Sequence, residues 1–192
     1  MKRTSGFLSL ILVLVLMVGA FSAFSITASA APGQGDYDVN GDGKNEKAYK
    51  IYNANDLLWF AQEVNGGNTG IQAVLMNDID LSTVCSETLG NWTPIGTTAN
   101  MFRGSFDGRG FTVKNLYYNN TTTSGTYVGL FGAAQASVIR NVTVTGTINA
   151  YEIAGGIIGK IEGAGLIKNC VNHVDVTVHF RYAAGIASIA SG

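Results

Sequence analysis

The sequence predicts an all-β fold, a parallel β-helix or solenoid with a capping α-helix near its N-terminus. Three observations predict it. The tetrads Val113-Lys114-Asn115-Leu116, Ile139-Arg140-Asn141-Val142 and Ile167-Lys168-Asn169-Cys170 share an apolar, basic, Asn, apolar pattern, their asparagines 26 and 28 residues apart. Gly129-Leu130-Phe131-Gly132 recurs as Gly156-Ile157-Ile158-Gly159 and, degraded, as Gly185-Ile186-Ala187-Ser188, at spacings of 27 and 29. Between these markers lie short runs such as Val142-Thr143-Val144-Thr145 and Val174-Asp175-Val176-Thr177-Val178. They alternate apolar and polar residues as half-buried strands do, with no helical period.

A fixed period of a few tens of residues means stacked units. A unit this short buries no core alone, but stacking lays each strand beside its equivalent, about 4.8 Å away. Right-handed coiling is expected from the handedness of parallel crossovers. Equivalent inward positions then form ladders: Leu130, Ile157 and Ile186 make one, and Leu116, Val142 and Cys170 another. The three asparagines read as turn residues, since Asn tolerates left-handed backbone and its amide can bond its neighbour in the stack.

Taken from the start of the chain, Lys2-Arg3, the apolar run Phe7–Ala20 and Ala28-Ser29-Ala30 before Ala31-Pro32 form a cleavable signal peptide over residues 1–30. Gly19, Ser22 and Ser25 interrupt the run, which is shorter than the roughly 20 residues a spanning helix needs. Residues 31–49 read as an Asp/Gly-rich linker or calcium loop, and residues 50–192 as the β-helix. Within the latter, Asn53 to Val64 predicts the capping helix, with Leu57, Phe60, Ala61 and Val64 on one face, Asn53 or Asn55 as cap and Gly66-Gly67 as stop. It would cover the open first coil, whose unpaired edge invites association. Ala73–Met76 and Ile79–Leu81 look like earlier, less regular coils. No polar capping unit precedes Gly192, so a longer protein and self-association at an uncapped end are expectations.

Without the leader the chain keeps 10 basic and 13 acidic residues, and the absence of clustered Lys and Arg argues against a nucleic-acid partner. No second segment is apolar and long enough to span a membrane. The protein is therefore expected to be secreted or on the cell surface. Cys85 and Cys170 are too few for a disulfide framework and are not spaced as a metal knuckle. Cys170 reads as a small core hydrophobe.

The residues reached so far resemble the GLUG-motif repeat family of bacterial secreted and surface proteins. The matching stretches are Ala54–Val64, Leu75–Leu81, Trp92-Thr93-Pro94-Ile95-Gly96, Phe102–Gly110 and the glycine repeats. The resemblance implies a repeat scaffold with no single activity. Such repeats also occur in the non-catalytic part of IgA1-protease-type metallopeptidases, whose His-Glu-x-x-His motif has no counterpart here: His173 and His179 lack both its spacing and its Glu.

Candidate sites are few. Asp38-Val39-Asn40-Gly41-Asp42-Gly43 opens like a calcium loop, with Asp38, Asn40, Asp42 and Glu46 as candidate ligands, although Tyr49 stands where the bidentate Glu belongs. Calcium is thus the one cofactor suggested. Asp78 and Asp80 share a strand face and are the nearest approach to an acid pair, while Asp107, Glu152, Glu162 and Asp175 are further carboxylates. The simpler reading turns Asp78 and Asp80 to solvent and Ile79 and Leu81 inward. Tyr117 and Tyr118, followed by Asn119–Gly125, predict a protruding loop that could bind a host or cell-surface glycan or protein, with one tyrosine packed on a neighbouring coil. The expected function is a non-catalytic, adhesin-like or spacer module. The alternative is the N-terminal targeting arm of a larger secreted hydrolase.

Overall fold

The computed structural model describes residues 30–192. Almost all of the expected leader lies outside the described residues. The chain opens with β1 (Gln34–Tyr37) and β2 (Glu46–Ile51), an antiparallel hairpin, followed by helix α1 (Ala54–Asn65). With β2 and α1 as the first coil, a less regular second coil has β3 (Ala73–Leu75), β4 (Ile79–Asp80) and a 3-10 turn at Leu81–Thr83. Three regular four-strand coils follow. They are β5 (Ser105–Asp107), β6 (Thr112–Asn120), β7 (Tyr127–Val128) and β8 (Phe131–Gln135); β9 (Val138–Arg140), β10 (Thr143–Ala150), β11 (Ile153–Gly155) and β12 (Ile158–Glu162); and β13 (Leu166–Lys168), β14 (Val171–Val178), β15 (Tyr182–Ala184) and β16 (Ala187–Ser191).

Each strand pairs in parallel with its equivalent in the next coil, so the fold is a β-solenoid with four sheets running along it, ordered β1-β2-β3-β5-β9-β13, β4-β6-β10-β14, β7-β11-β15 and β8-β12-β16. The inward faces make one continuous core of side chains such as Leu75, Ile79, Leu116, Leu130, Ile139, Val144 and Ile158.

The helix forms where its apolar period and caps place it. Asn53 caps it by accepting from the Asp56 N–H at 3.1 Å, and Asp56 in turn accepts from the Tyr52 N–H at 2.9 Å. Gly66 and Gly67 close it, their N–H groups donating to the Gln62 and Val64 carbonyls at 2.8 and 3.0 Å. Leu57, Phe60, Ala61 and Val64 are fully buried. Phe60 meets Phe102 and Phe106 with ring centroids 5.9 and 6.2 Å apart, and each of those meets Phe131 at 5.3 Å. The helix therefore plugs the first coil through an aromatic chain that reaches the third.

The glycine motif is the corner between the third and fourth strands of a coil. Phe131, Ile158 and Ala187 are in register, which places Leu130, Ile157 and Ile186 in the expected ladder. A Cβ on Gly132 would lie 2.4 Å from the Gly96 carbonyl oxygen, so only glycine fits beneath the second coil.

The tetrads obey a different rule from the one their sequences suggest. Ile139 pairs with Ile167 as expected, but its partner on the other side is Phe106, not Val113. Val113 pairs with Val144 and Leu116 with Gly146, so Leu116 leaves the expected ladder, while Val142 and Cys170 remain equivalent between Arg140–Lys168 and Thr143–Val171. Two residues, Lys114 and Asn115, stand opposite Thr145 alone, a β-bulge. All three asparagines have positive φ, +60°, +54° and +53°. Asn115 uses it to make the bulge, whereas Asn141 and Asn169 use it to turn a corner. Cys170 packs against the core as a free, half-buried thiol, and Cys85 is free and buried.

Truncating Phe131 to Ala should cost about 3–5 kcal/mol, because it empties the buried point where its contacts with Phe102 and Phe106 meet. Asn53→Ala should cost about 1 kcal/mol through the lost cap. Both are read from urea unfolding, and a Phe131→Ala loss no larger than that of Asn53→Ala would contradict the aromatic plug.

Candidate functional site

The Asp- and Gly-rich segment is not a free linker. It is the turn of the β1–β2 hairpin, and it folds over the outer face of the first sheet. Val39, Ala48 and Val74 are buried there in a second small core, with Tyr37 and Met76 packed against it. Asp38 accepts from the Gly41 and Gly43 N–H groups at 2.7 and 3.2 Å, Asn40 from Asp42 at 2.9 Å, Asp42 from Lys44 at 2.8 Å and Glu46 from Val39 at 3.0 Å. The candidate calcium ligands thus satisfy the turn's own backbone. Among the described residues, no group of three or more His, Cys, Asp or Glu side chains is placed to hold a metal ion.

This turn rests on Arg140, three strands away from β2 in the first sheet. The Arg140 guanidinium donates to the Asp38 carbonyl and pairs with the buried Asp107 carboxylate at 2.9 Å. Asp107 also accepts from Asn141, which accepts from Asn169, at 2.9 and 3.1 Å.

The other carboxylates are engaged one at a time. Asp78 and Asp80 face solvent beside buried Ile79 and Leu81. Asp78 is 2.8 Å from Lys114 and accepts from the Thr112 N–H, so its carboxyl is held below the ordinary range chiefly by Lys114. Asp80 accepts from Asn115 and from the Ser82 N–H, which lower it in the same direction. Glu152 accepts from the Gly125 N–H and pairs with Arg181 at 2.9 Å, and Glu162 pairs with Lys160 at 2.5 Å.

Tyr117 and Tyr118 do not begin a loop. Strand β6 continues through Asn120, and the excursion is residues 121–126. Tyr117 is half-buried, its carbonyl accepting from the Trp92 N–H, and Tyr118 is only 8% exposed. The tyrosines alternate faces as strand residues must.

The cleft that Tyr118 lines was not visible in the sequence. Asn91 and Trp92 run beside the end of β6, and Ile95 pairs with Phe131, so the second coil crosses from one sheet to another through Thr93-Pro94. Later coils place β11 and β15 at this step. Pro94 has no N–H to donate, so it cannot extend the ladder. Strand β7 is left at the edge of its sheet, and a cleft of about 200 Å³ opens above it. Thr93, Pro94, Thr98, Tyr118, Thr126 and Tyr127 carry its chemistry. Across Thr98 lies a wider polar hollow of about 370 Å³, bounded by Arg103, Gln135 and Glu162.

No family model matches the chain, and no solved structure matches it. It is similar to a protein named as a Gly-rich membrane protein of Evansella cellulosilytica, 33% identical over 142 residues and 71% of this chain. It is also similar to the halomucin of Haloquadratum walsbyi, 27% identical over 154 residues and 64% of this chain. The chain spans 16% of the first relative's length and 2% of the second's. Among the described residues no helix is long and apolar enough to cross a membrane.

Arg140→Ala should cost about 3–5 kcal/mol, since it strands the buried Asp107 charge and frees the hairpin turn. Hydrogen exchange should then quicken at residues 39–44, and unchanged protection there would contradict the anchor. Because Asp78 and Asp80 titrate lower when folded than when unfolded, their support is complete above about pH 4 and fades as pH falls through their depressed values. The thermal midpoint should fall below pH 4, less steeply in the double variant Asp78→Asn, Asp80→Asn. An equal slope in that variant would exclude these two groups.

Proposed function

We propose that this chain is a non-catalytic extracellular module of a bacterial surface or secreted protein, an adhesin-like or spacer β-solenoid that displays its excursions on a rigid rod. The observation that carries this reading is the use made of its polar side chains. Asp107, Asn141 and Asn169 bond one another from coil to coil, as do Asn119, Asn149 and His179. Asp78, Asp80, Glu152 and Glu162 each have a cation or amide partner. An acid–base catalyst needs carboxylates whose environments push their pKa values apart. Here Asp78 and Asp80 shift the same way.

Membership of the GLUG-motif family is part of this proposal, and the glycine corners give those repeats a mechanical reason. The cell-surface placement draws support from the relative named as a membrane protein, of which this chain matches a small part.

The test is to screen residues 31–192 against a glycan array and extracellular-matrix proteins, while assaying release of reducing sugar and of peptide. Saturable binding without turnover is the expected result. Turnover that copurifies with the protein would overturn the non-catalytic reading in favour of a hydrolase.

A further inference from the structure

We propose that the cleft above β7 binds one neutral pyranose ring at the end of an extracellular glycan. This rests on the reading of the chain as a surface-binding module and names its ligand class and contact residues.

The strongest sign is Tyr118. It is more than nine-tenths buried and lines the cleft, yet among the described residues its hydroxyl has no hydrogen-bond partner. Nor is that oxygen sealed away: the buried side-chain atoms without partners among the described residues are Ser137 Oγ and Arg140 Nε. The ring therefore packs in the core while the hydroxyl opens into the cleft. A tyrosine so placed presents a donor and an acceptor in a largely apolar hollow.

The lining around it selects the ligand. None of its lining residues is charged, and the Lys160 ammonium beside the Tyr127 ring is paired with Glu162 at 2.5 Å, which disfavours uronates, phosphates and acidic peptides. The Asn65 amide is already committed to the Pro94 carbonyl and the Gly96 N–H, at 3.0 and 2.8 Å, so it holds the wall. The Thr97 hydroxyl accepts from the Asn100 N–H. Among the described residues the hydroxyls of Thr93, Thr98 and Thr126 have no partner, and they stand with Tyr118 around the carbon surfaces of Pro94 and Tyr127. Alternating carbon and hydroxyl surface is the chemistry of a sugar ring.

Size decides between a ring and something larger. At about 200 Å³ the cleft falls below the 300–1,000 Å³ typical of drug-sized ligands. A peptide added as a strand would need a long free edge, and β7 offers two residues. The open side leads past Thr98 toward the polar hollow, so a glycan could enter by its terminal residue and continue outward.

The experiment is saturation-transfer NMR on residues 31–192 with methyl glycosides of neutral hexoses and N-acetylhexosamines, with methyl glucuronide as the charged comparison. A neutral pyranoside should receive saturation. Tyr118→Phe, which keeps the ring and removes only the hydroxyl, should weaken its binding roughly three- to tenfold, the range expected for one lost hydrogen bond. Thr98→Trp, at an exposed position on the rim, should abolish it, and Tyr117→Phe on the opposite strand face should leave it unchanged. Circular dichroism confirms that each variant is folded. Transfer to the glucuronide alone, or neutral-sugar binding indifferent to both Tyr118→Phe and Thr98→Trp, overturns this site. If array or matrix binding persists in that case, the surface-module reading stands while the cleft assignment falls. No binding to any glycan or matrix protein overturns both.

Discussion

Parallel stacking of coils is the constraint from which the rest of this structure follows. Every coil satisfies the backbone of the one before it and leaves its own far edge open, with an apolar interior exposed at the same place. At the N-terminal end the chain meets this with two unlike devices. Helix α1 covers the interior through Phe60, and the β1–β2 hairpin crosses the outer face of the first sheet to reach Arg140. In the last coil the side chains equivalent to buried positions are only partly covered: Ile157 is buried and Ile186 half-buried, and Phe180 and Tyr182 are exposed.

Polar groups are handled by the same geometry. A side chain on the outer face of one coil stands near its equivalents above and below, so amides can join in rows along the axis. Asp107, Asn141 and Asn169 form such a row at one corner and Asn119, Asn149 and His179 at another. These rows hold register where apolar packing cannot, since a slip of one residue would break every bond in the row. The acidic groups are drawn into the same scheme, which leaves few of them free for chemistry.

What was legible in the sequence was whatever a short local pattern dictates. The helix, its Asn53 cap and the Leu130–Ile157–Ile186 ladder follow from period and glycine placement. The tetrads misled because their common element, Asn with a left-handed backbone, serves two purposes: Asn115 makes a bulge inside β6, whereas Asn141 and Asn169 turn corners. Local sequence cannot separate these, since the difference lies in which strand is opposite. The same limit hid the role of Asp38, whose carbonyl meets Arg140 over a hundred residues away. It also made Tyr118 read as a loop residue: only the pairing of β6 with β10 extends the strand past it.

The cleft marks the place where the repeat fails. A regular coil has a strand between its second and fourth sheets, and the second coil has Thr93-Pro94 there instead. A proline in that position removes a ladder donor and leaves the neighbouring edge without a cover. In a scaffold whose stability comes from repetition, such a break costs pairing and is tolerated only where neighbouring groups close the gap. Asn65 at the end of the helix supplies that closure by bonding both sides of the Pro94 turn. Trp92 supplies more by donating its indole N–H to the Leu130 carbonyl at 3.1 Å from inside the core. The interruption is therefore braced on both flanks while its centre stays open, and Tyr118 lines that opening. Braced walls keep such a break from collapsing, because Asn65 and Trp92 fix both of its flanks by hydrogen bonds, so the hollow is a built feature of the interruption and not loose packing.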